Sequence, residues 1–273
     1  MMRIKKLKRR FFTKPTLKVS KDLLGKYIVR KIGNKKLVGK IVETEAYIGP
    51  EDKASHAYGG PDTKPSTALF TTPEIKKAKH IFKDLKSIRA FLKKSDKDKK
   101  VLDLVRGKLT QRNRAEWLIG GHIYIYLVYG MYWQLNISTG RAGSPECVLI
   151  RALEPVLFSR FKNSKSEILN SKQIRNSKYQ NPKQLKKLAD GPGKLCRWLK
   201  LDKSFYGEDV TKSKRLWIES RGGEEKEGEE RGKRESNIVI AKGPRIGIDY
   251  AGPIWARKRW RFWIKNNPCV SSK

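Results

Sequence analysis

Two carboxylates, a phenol and an imidazole lie within a short stretch of this chain. In Val42-Glu43-Thr44-Glu45-Ala46-Tyr47-Ile48-Gly49-Pro50-Glu51-Asp52, followed by Ser55-His56, they could hold and activate a water molecule. Such a pattern is also what a solvated strand edge with a turn-capping histidine would show. The residues before it, Leu37-Val38-Gly39-Lys40-Ile41-Val42, are β-branched and apolar and run into Gly49-Pro50, so the spacing predicts a strand with a sharp stop. Alternation along that strand sets Glu43, Glu45 and Tyr47 on one face and Val42, Thr44 and Ala46 on the other.

The segment from Gly121 to Ser138 reads as two aromatic strands folded back at Tyr129-Gly130-Met131, where Gly130 supplies the backbone freedom of a tight hairpin. Tyr124, Tyr126 and Val128 share one face, and Ile123, Ile125 and Leu127 the other, so one face can build a core while its opposite lines a pocket with rings. Tyr124 and Tyr132 fit ordinary core positions. Tyr129 falls at the tip, where a bulky ring has little intramolecular use. On a basic protein it is a natural wedge between base pairs.

Charge narrows the class of partner. Lys and Arg number 63 against 27 Asp and Glu, a formal net charge of +36, and the pI is near 10.2. That balance points to a polyanion, with nucleic acid ahead of an anionic membrane surface, because no apolar run approaches the roughly 20 residues that span a bilayer. Cys147, Cys196 and Cys269 are far apart in sequence, without a disulfide framework or metal-ligand spacing. The expectations are a reducing, intracellular compartment, no metal and no cofactor. A basic start from Met1 to Arg10, without a following apolar stretch, does not read as a secretory leader.

The chain resembles the alkyladenine (3-methyladenine) DNA glycosylase family of base-excision repair. The resemblance is carried by Phe11-Phe12, Leu24-Gly25-Lys26, the Glu-Thr-Glu-Ala-Tyr block, Thr110-Gln111-Arg112-Asn113-Arg114 and the Tyr-Gly-Met-Tyr hairpin. It continues through Cys147 to Pro155, Gly191-Pro192-Gly193-Lys194-Leu195-Cys196, Pro244-Arg245-Ile246-Gly247-Ile248 and Arg261-Phe262-Trp263-Ile264. Each motif alone is weak; their order over nearly the whole chain makes the likeness specific.

The resemblance implies excision of damaged purines from double-stranded DNA by a monomeric, monofunctional enzyme that leaves an abasic site. Glu45 matches the residue that activates the water, with Glu43 as its rival on the strand, and Arg151 matches an arginine that helps hold that water. Arg151 could instead pair with Glu154 or a phosphate. Tyr47, His56 and Tyr126 match rings that sandwich the flipped base, and Asn136 matches an asparagine that obstructs the amino group of guanine. Tyr129 and Met131 match the intercalating tip, while Arg112, Arg114 and Lys194, with the strip Arg257-Lys258-Arg259, are candidate phosphate contacts. No residue stands out as the general acid that a neutral base needs. Gly193 departs from the serine-like residue of some members, and Trp133-Gln134 from smaller or sulfur-bearing ones.

The expected fold is α+β, a single domain with a curved, mostly antiparallel sheet surrounded by helices and a protruding, DNA-inserting β-hairpin. Residues 1–10 read as a basic tail and 11–271 as the catalytic domain. Residues 61–109 read as a Lys-rich insertion with an amphipathic helix through Ile81, Leu85, Ile88 and Leu92. The stretch 163–187 reads as frayed helix and loop, and the Gly/Glu/Lys/Arg run at 219–236 as disordered. A different class remains open on charge and aromatics alone: a non-catalytic nucleic-acid-binding module, or an RNA-modifying enzyme. The location follows the source, on the nucleoid in a prokaryote or in the nucleus of a eukaryote.

Overall fold

A computed structural model of the chain describes residues 3–59, 110–156, 185–222 and 238–271. The expectations for the 61–109 insertion and for most of 163–187 and 219–236 lie outside the described residues.

Among the described residues nine strands form one sheet: β1 (Arg3–Lys6), β2 (Tyr27–Ile32), β3 (Lys35–Ile48), β4 (Ile123–Val128), β5 (Tyr132–Ser138), β6 (Glu146–Pro155), β7 (Leu216–Gly222), β8 (Ile240–Gly243) and β9 (Arg261–Ile264). Their order is β1-β7-β2-β3-β6-β5-β4, every pairing is antiparallel, and β9 joins β3 alongside β8. The long β3 is therefore the spine. It pairs with β6 from Gly39 to Ile48 and takes β9 across Glu43–Glu45. Because β3 is covered on both faces, Val42, Thr44 and Ala46 are as buried as Glu43 and Glu45. The register slips on either side of Glu43, a bulge of the kind that re-aims side chains next to functional sites.

The main core gathers Ile28, Ile41, Val42, Ile123, Ile125, Leu135, Ile137, Val148 and Ile150, the inward alternation of five strands. Among the described residues the helices are short: α1 (Arg9–Phe12), α2 (Thr16–Asp22), α3 (Pro192–Trp198) and α4 (Pro253–Ala256). The expected α+β class, a single domain on a curved antiparallel sheet, holds. In α2, Val19 sits in the core against β3 and β6, while Lys18 pairs with Asp22 one turn on. In α3, Pro192 opens the helix at a position where its missing N–H costs nothing, and Leu195 and Cys196 face β5 and β6.

Two expectations change. Residues 3–6 are not a tail but the edge strand β1, with Arg3 opposite Gly222 and Lys6 opposite Glu219. Residues 219–222, read from composition as disordered, complete β7 between β1 and β2. Polar composition misleads here because an edge pair is held mainly by backbone hydrogen bonds, which any side chain permits.

Candidate active site

β3 and β6 bring the carboxylates and the arginine together. Glu43 and Glu45 are both fully buried, and Arg151 lies between them, with Nε 3.3 Å from a Glu43 oxygen and Nη1 3.4 Å from Glu45 Oε1. The two acids differ in what else holds them. Glu43 accepts from Arg261 Nε at 2.6 Å, from the Ser271 backbone N–H at 2.8 Å and from its hydroxyl at 3.0 Å, so both its oxygens are engaged. Glu45 Oε1 accepts from the Ile246 backbone N–H at 2.8 Å, and among the described residues Oε2 accepts only from the Tyr47 hydroxyl at 3.0 Å. A carboxylate oxygen has room for about two donors, so Glu45 keeps capacity for another. Burial raises the pKa of Glu45, and Arg151, the Ile246 N–H and the Tyr47 hydroxyl oppose that rise. Arg151 thus pairs with these two acids, not with Glu154, which takes Lys40 and Asn267.

Tyr47 is braced from beneath. The Arg245 guanidinium stands 4.7 Å from its ring centre and makes a two-pronged, fully buried pair with Asp52, at 2.5 and 2.8 Å. Asp52 also accepts from the Ile48 and Ala54 N–H groups, so one carboxylate fixes the Gly49–Pro50 turn and the ring beside it.

A second cluster faces this one. The His56 ring packs edge-on to Tyr126 at 4.6 Å, and its Nδ1 lies 2.6 Å from the Tyr124 hydroxyl. Asn113 donates to the His56 carbonyl at 3.0 Å, tying the Thr110–Arg114 motif to the histidine loop. Crowding by surrounding atoms and the Arg112 guanidinium lower the His56 pKa, so the ring is neutral at pH 7. Burial raises the pKa of both Tyr126 and Tyr47, with smaller contributions from Glu45 to the first and from Tyr126 to the second, so the two clusters lie within electrostatic reach of each other. Tyr124, expected as plain core, is fully buried yet spends its hydroxyl on His56.

Behind the rings, Asn136 is buried on β5 with Oδ1 3.7 Å from the Cys147 thiol, which lies 3.5 Å from Glu116 Oε1. Glu116 belongs to a short 3₁₀ turn, Arg114–Trp117, and is fully buried. Its Oε2 has no hydrogen-bond partner among the described residues, and burial pushes its pKa up to about 8.

The sequence matches the family profile described as methylpurine-DNA glycosylase over residues 10–76 and 90–268. The chain belongs to the methylpurine-DNA glycosylase family. The break in the match falls inside the 61–109 segment. A Methanocella arvoryzae protein is 34% identical over 98% of this chain and 96% of its own, and a Clostridium tetani protein 35% identical over 98% and 100%. Both are provisionally named 3-methyladenine DNA glycosylases. A mouse protein named DNA-3-methyladenine glycosylase is 32% identical over 96% of this chain and 60% of its own length.

Around these two clusters the remaining expected residues are spread. At the β4–β5 turn Val128 pairs with Tyr132, and Tyr129 and Gly130 both take positive φ, 52° and 67°. The Tyr129 and Met131 side chains are 85% and 67% exposed, so among the described residues the turn presents apolar groups that nothing covers. Arg112 is exposed, with its guanidinium 4.9 Å from the Tyr126 ring, and Arg114 is half-buried. Lys194 is held by Asp190 at 2.7 Å. Gly193 seats the ring of Tyr132, since a Cβ there would stand 3.0 Å from that ring, so a serine could not enter without moving it. Sequence reasoning missed Glu116, the Arg245 clamp on Asp52 and the Arg261–Ser271 cradle of Glu43. Only Arg245 and Arg261 carried a signal, as members of the resembling motifs. Among the described residues there is no cluster of metal-binding side chains and no helix long and apolar enough to cross a membrane.

Proposed function

We propose that this chain turns damaged purines out of duplex DNA and hydrolyses their N-glycosidic bond with a water activated by Glu45, leaving an abasic site. The observation that carries this reading is the asymmetry of the two buried acids: among the described residues Glu43 accepts three hydrogen bonds, all from Arg261 and Ser271, while Glu45 accepts two, and its Oε2 is held by the Tyr47 hydroxyl. A desolvated carboxylate of raised pKa is a stronger base toward water, and its charge offsets the positive sugar that develops as the bond breaks. Arg151, close to Glu45, orients the carboxylate and helps hold the water. General-base assistance of this kind contributes roughly 10²–10⁴-fold.

The base is stacked between Tyr47 on one side and His56 with Tyr126 on the other. Electron-rich rings favour positively charged bases such as 3-methyladenine and 7-methylguanine, which leave without a general acid. Neutral His56 serves as a hydrogen-bonding group at the base edge, and Asn136 obstructs the amino group of guanine. Tyr129 and Met131 enter the space the base vacates, where stacking lost by the duplex is partly regained. Arg112, Arg114 and Lys194 bind the phosphate backbone, within a net charge of +36 that draws the chain to DNA. The enzyme acts as a monomer inside the cell, without metal or cofactor.

Single-turnover base release from a duplex carrying hypoxanthine or ethenoadenine, and from alkylated DNA, tests this beside Glu45→Gln. The expected result is release by the wild type and a loss of at least ~10²-fold in the variant, with DNA binding retained. Absence of release from every lesion, with binding indifferent to damage, would leave a non-catalytic DNA-binding protein instead.

A further inference from the structure

We propose that Glu116 is a specificity-determining counter-charge: its carboxyl, one thiol behind Asn136, gives up its proton when a positively charged purine occupies the pocket and so favours cationic over neutral lesions. The inference rests on the base pocket proposed above. Three observations lead to it. Glu116 lies between Ala115 and Trp117, both buried, in a turn where an apolar side chain would cost the fold less. It is linked toward the pocket by the row Glu116–Cys147–Asn136, at 3.5 and 3.7 Å. One of its oxygens is buried without a partner among the described residues, so no hydrogen bond described there accounts for its burial.

The charged and titratable groups around it are the Cys147 thiol on β6, Tyr124 and Tyr126 on β4, Tyr206, Arg112 before its own turn, and Asp52 in the loop after β3. Arg112 favours the carboxylate and Asp52 opposes it, while burial keeps Glu116 protonated at neutral pH with a pKa of about 8. A cationic base adds a positive charge within the same poorly screened region. The carboxyl proton then passes to bulk buffer, leaving a carboxylate opposite a cation. A neutral base offers no such gain. Affinity for cationic lesions therefore rises with pH up to about 8 and levels off above it, whereas affinity for hypoxanthine does not.

The test uses the full chain carrying Glu45→Gln, so that bound bases stay attached. Titration calorimetry in two buffers of different ionisation enthalpy measures proton release on binding duplexes with either 2′-fluoro-7-methylguanosine or hypoxanthine. Release of a substantial fraction of a proton at pH 7 is expected with the first duplex and none with the second. Adding Glu116→Gln should abolish the release and weaken binding of the cationic duplex by roughly ten-fold, leaving hypoxanthine binding unchanged. Glu116→Met should act alike, which guards against a fault particular to the amide. Damage-specific binding with unaltered proton release and an unaltered ratio between the two duplexes would overturn the role of Glu116 alone. Binding with no preference for either lesion over undamaged DNA would overturn the base pocket together with it.

Discussion

Replacing Asp52 with Asn strands the Arg245 guanidinium in a buried site. Both partners of this pair have fully buried side chains, and Arg245 spends two nitrogens on Asp52. Removing one member of such a pair leaves an uncompensated charge, at a cost of about 3–5 kcal/mol, because the desolvation of the survivor is no longer offset. Urea unfolding of Asp52→Asn should show that loss, and the thermal midpoint should fall by roughly 6–20 °C. Lys194→Ala is the matched control: its pair with Asp190 is as short at 2.7 Å, but the lysine side chain is 54% exposed. Its loss should stay below about 1 kcal/mol. The double variant Asp52→Asn with Arg245→Met removes both charges and should recover part of the deficit. A loss below about 1 kcal/mol for Asp52→Asn, no different from the exposed pair, would refute the reasoning.

Tyr129→Ser should leave stability within about 0.5 kcal/mol while weakening binding of lesion-bearing duplex by ~10-fold or more, as read by anisotropy against urea unfolding. Tyr129→Gly, which relieves the positive φ of 52°, should raise stability slightly with the same loss of binding. Glu43→Gln should lower stability by a few kcal/mol, since it disturbs Arg261 and Ser271 together, and differential unfolding would separate it from Glu45→Gln. The single-turnover rate should fall as pH drops, because the base must be ionised, with a midpoint above the ordinary 4.5 of a glutamate; a midpoint at or below 4.5 would contradict the desolvation of Glu45.

The sequence showed β3 and the β4–β5 hairpin because their signals are local: a β-branched run stopped by Gly49-Pro50, and two aromatic runs about Gly130. The clustering of Glu45, Tyr47 and His56 was legible for the same reason, as neighbours on one strand and its following loop, while the roles proposed for them rest on the family resemblance. What was not legible is made by distant partners. Nothing near Asp52 announces Arg245, 193 residues on, and Glu116 reads as one more charge in a polar motif until burial is known. The edge strand β1 was hidden by its lysines, since pairing with β7 is written in the backbone.

The cradle of the two acids also dictates an order of events during synthesis. Glu43 and Glu45 leave the ribosome early, but Ile246, Arg261 and Ser271, which donate to them, follow 201, 218 and 228 residues later. Until then β3 cannot be closed over both carboxylates without burying charge that lacks its donors. Such long-range closure is slow as well as late. The nascent chain can pair β2 with β3 at once, yet the two carboxylates gain their full set of donors only when β9 and the residues after it dock, so the centre of the sheet is among the last parts of the molecule to be finished.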